Sequence, residues 1–418
     1  MKIKAVRSQK PVRAEVRGWI YRMRSSGGIV FAVIRDSTGI MQITIKKERR
    51  EAFEVAAAAT IESSVVARGN IREDKRAPGG IELECENFEL VSLAEKFPMQ
   101  EDYSEEYLLD IRHISIRRRK LASIFRIRSH LFWALRDFFE DENFYEVQPP
   151  MLVTSMVEGG AAMFGLNYFG KKAYLTQSSQ FYLEALIYPL ENVYTIAPSF
   201  RAEKSRTMRH LTEFWHCEGE AAWYSNEDMM GFEERMIDHV LHDVAEKCED
   251  DLGELGRNVE FLKRIKPPFE RITFRHALGE LDLKEGAEIG TDEERELTIK
   301  RNKPFFITEF PRNKGFYHRP KPEDPEVLLC HDLLAPEGYG EIIGGGERIW
   351  DKRELIDRIR EFGLKEDDYA WYLDLRRFGS VPHSGFGLGI DRLVRWITGI
   401  EHIRDTTPFP RTINRLYP

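Results

Sequence analysis

The sequence predicts an α+β chain in two parts, a small β-barrel over residues 1–94 and a larger mixed domain over 116–418, joined by a hinge at 95–115. Three observations predict it. Residues 12–94 break into short β-rich runs punctuated by Gly and Ser. Beyond residue 115, amphipathic helical stretches alternate with apolar or glycine-rich strands. The charge is unevenly divided. The chain is net −8, yet residues 1–50 carry 13 Lys/Arg against 3 Asp/Glu, an excess of +10 that leaves −18 for the rest. A basic module on an acidic body attracts a phosphate backbone locally, whatever the total charge.

The barrel is read from five runs: VRAEVRGWIYRMR, GIVFAVIRDSTG, IMQITIKK, SSVVARGNIRE and GGIELECENFELV, with a helical patch, EAFEVAAAATI, between the third and fourth. Five strands with a helix in that place fit an OB-fold, a barrel whose face binds oligonucleotides. The hinge has mixed charge, few aliphatics and Pro98. The larger domain opens with a helix over 116–142, on which Ile124, Ile127, Leu131, Leu135 and Phe138 fall on one face. NFYEVQPPML then turns extended, because Pro149 and Pro150 each bar helical geometry from the residue before. Residues 193–224 read as strand, polar loop, strand, and 225–250 as helix. Residues 251–300 are charged and carry no clear period. FFITEF at 305–310 reads as a buried strand, GYGEIIGGGERIWD at 338–351 as a strand with a glycine-rich end, and HSGFGLGIDRLVRWITG at 383–399 as a glycine strand entering an amphipathic helix.

Composition excludes several classes. The hydrophobic and charged shares, 42% and 32%, are those of an ordinary globular protein. Cys85, Cys217, Cys248 and Cys330 form no CxxC pair, which argues against a zinc knuckle or disulfide framework and for a reducing compartment. No run approaches the roughly 18 apolar residues of a membrane span, and MKIKAVRSQK has no secretory apolar core, so a cytoplasmic location without membrane partners is expected.

Three segments carry chemistry. In FRAEKSRTMRHLTEF, Arg201 and Glu203 share one strand face, followed by Arg209, His210 and Phe214. Guanidinium groups match phosphate oxygens, a carboxylate accepts from an amino group, and Phe214 offers a surface for a base. A surface hairpin laced with ion pairs is an equal alternative for this segment alone. In FGLGIDRLV, Gly385, Gly387 and Gly389 recur every second residue and leave one strand face bare for a ligand, with Arg392 on the next helical turn. Neither a GxGxxG nor a GxxxxGK[ST] loop is present, so the dinucleotide fold and the P-loop are disfavoured; glycines that merely relieve packing are the alternative. In YGEIIGGGER, Glu341 leads into a triple glycine with Arg348 beyond, and a carboxylate beside ATP phosphates binds magnesium, Asp332 being the second candidate ligand. The plain alternative for Glu341 is an edge-strand charge.

Taken in order, NFYEVQPPM, FRAEKSRTMRHLTEF and GFGLGIDRL resemble motifs 1, 2 and 3 of class II aminoacyl-tRNA synthetases. The N-terminal barrel resembles that of the aspartyl, asparaginyl and lysyl subgroup, and the chain is most similar to its asparaginyl members of archaeal type. The resemblance implies an antiparallel sheet flanked by helices and a homodimer built partly on motif 1. It implies ATP and Mg2+ as cofactors and a tRNA as partner. It places Arg201 at the α-phosphate, and Glu203, Arg209, His210, Leu211 and Phe214 around the ATP. Glu341 falls at the magnesium, and Gly387, Leu388, Gly389 and Arg392 at the adenosine and γ-phosphate. Arg201, Glu341 and Arg392 are thereby the catalytic candidates.

The same resemblance implies the amino-acid pocket. MVEGG brings Glu158 to the substrate α-amino group, and QSSQFYLE contributes Gln177, Gln180 and Leu183. The lysine of aspartyl enzymes falls on Leu183, and their usual serine on Gly344. Loss of a cation favours a neutral side chain, since a buried carboxylate without partners is expensive. Arg348 can donate to an amide oxygen, with Glu203 or Glu184 as acceptor for the amide NH2. The implied reaction is attachment of L-asparagine to tRNA(Asn). The rivals are an aspartyl enzyme, one charging both tRNAs included, a synthetase-related asparagine synthetase, and a non-catalytic RNA-binding paralogue. HRPKP at 318–322 departs from the family's methionine-bearing stretch. In the barrel, RMRSSGGIVFAVIRDSTGIMQ resembles the anticodon-binding surface, with Phe31 stacking on a base and Arg24 and Gln42 reading bases or phosphate.

Overall fold

The computed structural model describes residues 1–98, 103–154, 163–203 and 209–418. It divides into two compact units, Met1–Leu108 and Leu109–Pro418.

The first unit is a closed five-stranded barrel of β1 (Arg13–Ser26), β2 (Ile29–Asp36), β3 (Gly39–Lys46), β4 (Ser64–Glu73) and β5 (Ile81–Ser92), in the order β1-β2-β3-β5-β4. Period-two alternation builds it. On β2, Val30, Ala32 and Ile34 enter the barrel core while Phe31 and Val33 face outward, half-buried. Helix α2 (Arg50–Ala58) lies between β3 and β4, where the alanine-rich run falls. A short helix α1 (Ile3–Gln9) was not expected. Its only core contacts are Ile3 and Val6, too few to register as a period.

The second unit is built on an eight-stranded sheet. Its strands in chain order are β6 (Tyr145–Glu146), β7 (Asn192–Phe200), β8 (Glu213–Ala222), β9 (Glu270–Thr273), β10 (Phe305–Thr308), β11 (Cys330–Ala335), β12 (Gly340–Glu347) and β13 (His383–Gly389). The spatial order is β9-β10-β11-β12-β13-β8-β7-β6, antiparallel except for the parallel pair at each edge. Helices α3 (Arg119–Asp141), α5 (Asn226–Lys247) and α7 (Ile390–Thr398) share one core with the sheet. The five-residue stripe foreseen on α3 is buried there, and Phe139 stacks on Tyr194 of β7 at 3.9 Å between ring centroids. Helix α5 starts on a reciprocal capping box between Ser225 and Asp228. Two further helices bear on the site: α4 (Gln180–Leu190) and α6 (Thr291–Ile299), the latter in the stretch that the sequence leaves without a period.

Candidate active site

A cleft of about 500 Å3 opens over β8, β11, β12 and β13, a volume suited to a small ligand. At one end stand the nucleotide candidates. Arg201 follows β7, with its guanidinium 5.4 Å from the centroid of the Phe214 ring on β8. Phe214 in turn meets His216 edge to face at 4.6 Å. Glu203, Arg209, His210 and Leu211 also line the cleft. On β13 the alternation works as the spacing requires: Gly387 and Gly389 face the cleft and Leu388 between them enters the core. Leu388 therefore offers the cleft no side chain. Gly385 serves a different end: a Cβ there would lie 1.8 Å from Oε2 of Glu220, so its bareness makes room for that carboxylate.

Arg392 donates from Nη1 toward Oε2 of Glu341 at 3.0 Å. Burial by itself would raise the Glu341 carboxyl, but Arg392, Arg209, Lys314 and Arg201 outweigh it and hold the group down at about 2. The same field acts on the histidines. Burial, reinforced by Arg392, Arg209 and Arg201, lowers His210 to about 4, and His216 is likewise driven well below its ordinary range. Asp332 on β11 pairs with Gly344 across the ladder. A Cβ on Gly344 would lie 3.2 Å from Oδ1 of Asp332 and 3.8 Å from Oε1 of Glu341, so the two carboxylates converge over a residue with no side chain. Burial, with Glu341 adding its charge, raises Asp332 to about 6 even though Lys314 is bonded to it. An oxygen-only pair with such repulsion fits a small divalent cation.

At the other end, Gln180, Leu183 and Arg348 line the cleft. Arg348 is buried in a two-pronged pair with Glu220 of β8, Nε to Oε1 at 3.0 Å and Nη2 to Oε2 at 3.1 Å. Burial disfavours that charge, and Glu220 more than offsets the effect and keeps the guanidinium protonated. Glu184 does not serve the cleft. It is fully buried and accepts from Tyr372 at 2.8 and 2.9 Å, from Arg376, from Gln180 at 3.0 Å, and shares a 3.1 Å contact with Nε2 of His383. It holds Gln180 from behind, whereas Glu220 lines the cleft itself. Glu184, Glu220 and His383 also cluster closely enough to hold an ion, but both acids are already engaged by arginines. Gln177 is buried and does not line the cleft. Glu158 lies outside the described residues.

Residues 104–413 match the family model of tRNA synthetases class II (D, K and N), and residues 14–91 match that of the OB-fold nucleic acid binding domain. The chain belongs to the class II tRNA synthetases of the D, K and N group. It is 50% identical to the asparagine–tRNA ligase of Thermoplasma acidophilum, over 97% of this chain and 96% of that one. It superposes on the asparaginyl-tRNA synthetase of Pyrococcus horikoshii complexed with asparaginyl-adenylate at a TM-score of 0.97, with 45% identity and coverage of 100% and 99% of the two chains. The Entamoeba histolytica asparaginyl enzyme in complex with asparaginyl-adenylate gives 0.90, with 32% identity and coverage of 97% and 96%.

In the barrel of this class II synthetase, Arg24 of β1 pairs with Phe31 of β2, its guanidinium 4.7 Å from the ring centroid. Phe31 is half-buried and stands outside the barrel core. Gln42 of β3 is buried on the same outer surface and donates to Glu82 at 2.8 Å. Sequence reasoning passed over Glu220, Glu218 and Lys314. A signal existed for the first two. His216, Glu218 and Glu220 recur at a period of two along β8, and all three line the cleft. Glu218 bonds Ser178 and accepts from the Ser179 backbone at 2.8 Å, which anchors the start of α4. Lys314 lies in the irregular RNKGFY stretch and carried no signal.

Proposed function

We propose that this synthetase is an asparagine–tRNA ligase, which activates L-asparagine with ATP and passes it to tRNA(Asn). The carrying observation is the buried Arg348–Glu220 pair at one end of the cleft whose other end holds Arg201, Arg392 and Glu341. The pair uses Nε and Nη2 of Arg348, and Nη1 remains to donate to an amide oxygen. Glu220 accepts from the amide NH2. An aspartate carboxylate in the same place would set one anion against another in a buried pocket. The relatives that hold asparaginyl-adenylate support this assignment.

ATP lies over the bare strand of Gly387 and Gly389, with its base against Phe214. Glu203, His210 and Leu211 frame it, and the Leu388 backbone contributes. Glu158 is assigned to the α-amino group by family likeness. An asparagine carboxylate oxygen attacks the α-phosphorus in line and displaces pyrophosphate. Arg201 donates to the α-phosphate as charge builds there, and Arg392 holds the γ-phosphate. The protein makes no covalent bond; positioning and charge neutralisation lower the barrier. Asp332 and Glu341 would hold Mg2+, which draws charge from the phosphate oxygens when bound. A ribose hydroxyl at the tRNA terminus then attacks the adenylate carbonyl and releases AMP. Neutral imidazoles at His210 and His216 leave the field of the arginines for the phosphates.

The anticodon is assigned to the barrel face of Arg24, Phe31 and Gln42, where a half-buried ring can stack on an unpaired base. Trp133 on α3 and Tyr145 on β6, exposed at 63% and 59%, support a homodimer built on that helix and strand. All four cysteines are buried free thiols, in keeping with a reducing cytoplasm. Among the described residues no helix is long and apolar enough to cross a membrane. The test is charging of tRNA with labelled amino acid: asparaginyl-tRNA(Asn) is expected, and aspartyl-tRNA as the main product would refute the proposal.

A further inference from the structure

Glu294 belongs to none of the segments that resemble a motif. It sits on α6 and is buried. Its carboxylate meets three donors of the nucleotide end. Oε1 accepts from Nη2 of Arg209 at 2.8 Å, and Oε2 accepts from Nη1 of the same guanidinium. Oε2 also accepts from the backbone N–H of Glu341 at 2.7 Å. The partners come from 85 and 47 residues away in the chain. The backbone of β12 passes directly over this pair. A Cβ on Gly340, whose φ is +75°, would lie 2.7 Å from Oε2 of Glu294 and 2.9 Å from Nη1 of Arg209. Helix α6 holds the carboxylate firmly: Gly290 at its start donates to Glu293 at 3.0 Å, and the buried Thr298 hydroxyl donates to the Glu294 carbonyl at 2.6 Å.

Both terminal nitrogens of Arg209 thus face Glu294, although its charge still acts on Glu341. We propose that Glu294 is a positioning residue for magnesium-bound ATP, locking Arg209 and the Glu341 backbone into one unit and keeping Arg209 off the Glu341 carboxylate. This rests on the reading of Glu341 as part of the ATP site. Without Glu294, Arg209 is a buried cation lacking its partner, and the next carboxylate whose charge acts on it is that of Glu341. It would then compete with Arg392 and with a bound cation for the same oxygens. Arg209 contributes to ATP binding through the field it sets at Glu341, and Glu294 decides where that charge stands.

Glu294→Gln keeps the shape and an oxygen for the Glu341 N–H but loses the ion pair. Calorimetry on the full-length protein would measure binding of a non-hydrolysable ATP analogue with and without Mg2+, and of asparagine separately. The Kd for the analogue with Mg2+ is expected to rise on the order of tenfold, with a smaller rise when Mg2+ is absent. The Kd for asparagine is expected to stay within about twofold. Arg209→Lys, which keeps the charge and loses the fork, should move the same way and serves if the first variant is poorly folded. Equal weakening of both ligands with a lowered Tm would mean a merely structural role and overturn the proposal. So would unchanged analogue binding while Glu341→Gln, run in parallel, weakens it. If Glu341→Gln also changes nothing, the ATP-site reading itself fails, and the positioning role with it.

Discussion

The two ends of the cleft handle buried charge in opposite ways. At the amino-acid end the charges come in bonded, buried pairs, Arg348 with Glu220 on the cleft wall and Arg376 with Glu184 off the cleft, where Glu184 holds Gln180. At the nucleotide end several cations bear on one carboxylate even where they are bonded to another, Arg209 to Glu294 and Lys314 to Asp332. Arg392, Arg209, Lys314 and Arg201 all bear on Glu341, and burial, reinforced by the arginines, lowers His210 to about 4. A pocket of paired charges has no net charge and suits a neutral amide dipole; cations converging on one site suit a polyanion. One cleft therefore distinguishes its two small substrates by electrostatics before shape is considered.

That contrast can be broken at either end. The largest effect is expected from Arg201→Ala, which removes a donor from the reacting phosphate. Asparagine-dependent ATP–pyrophosphate exchange should fall on the order of a thousandfold. A loss below tenfold would remove Arg201 from the centre of the account. Next is Glu184→Gln, which leaves Arg376 without its buried partner and should cost about 3 kcal/mol in chemical denaturation near neutral pH. The sign with pH follows from the direction of its shift. Burial would raise the Glu184 carboxyl, but Arg376 and His383 more than offset it and hold it well below its ordinary 4.5. Its contribution is therefore complete above pH 4.5 and is lost as pH falls through the depressed value. Wild type and variant should converge in strong acid, and a gap that instead widened there would refute the pairing. Glu220→Gln should cost roughly a hundredfold in kcat/KM for asparagine, because the amide NH2 loses its anionic acceptor. Leu183→Lys adds a cation to the matched end. It should lower kcat/KM for asparagine about tenfold and narrow the preference over aspartate; unchanged kinetics for both would remove Leu183 from the pocket.

The sequence made the scaffold legible where a period governed it. The stripe of α3, the alternation of β2 and the bare face at Gly387 and Gly389 all follow from spacing, and each stands where spacing put it. The charge partners were less legible, because pairing depends on strand register and on segments far apart. Glu220 meets Arg348 across 128 residues, and its carboxylate fits only because Gly385 on the neighbouring strand has no side chain. Glu184 looked equally suitable as an acceptor, yet α4 turns it toward Arg376 and His383. Glu294 was hidden for another reason. It lies on a short charged helix whose apolar contacts are too sparse to show a helical period.

The claim at the centre is that matched charges at Arg348 and Glu220 select the amide. ATP–pyrophosphate exchange by the purified full-length protein, with asparagine and aspartate supplied separately, measures this directly. Exchange that depends on asparagine and stays near background with aspartate is predicted; exchange supported equally or better by aspartate would contradict it.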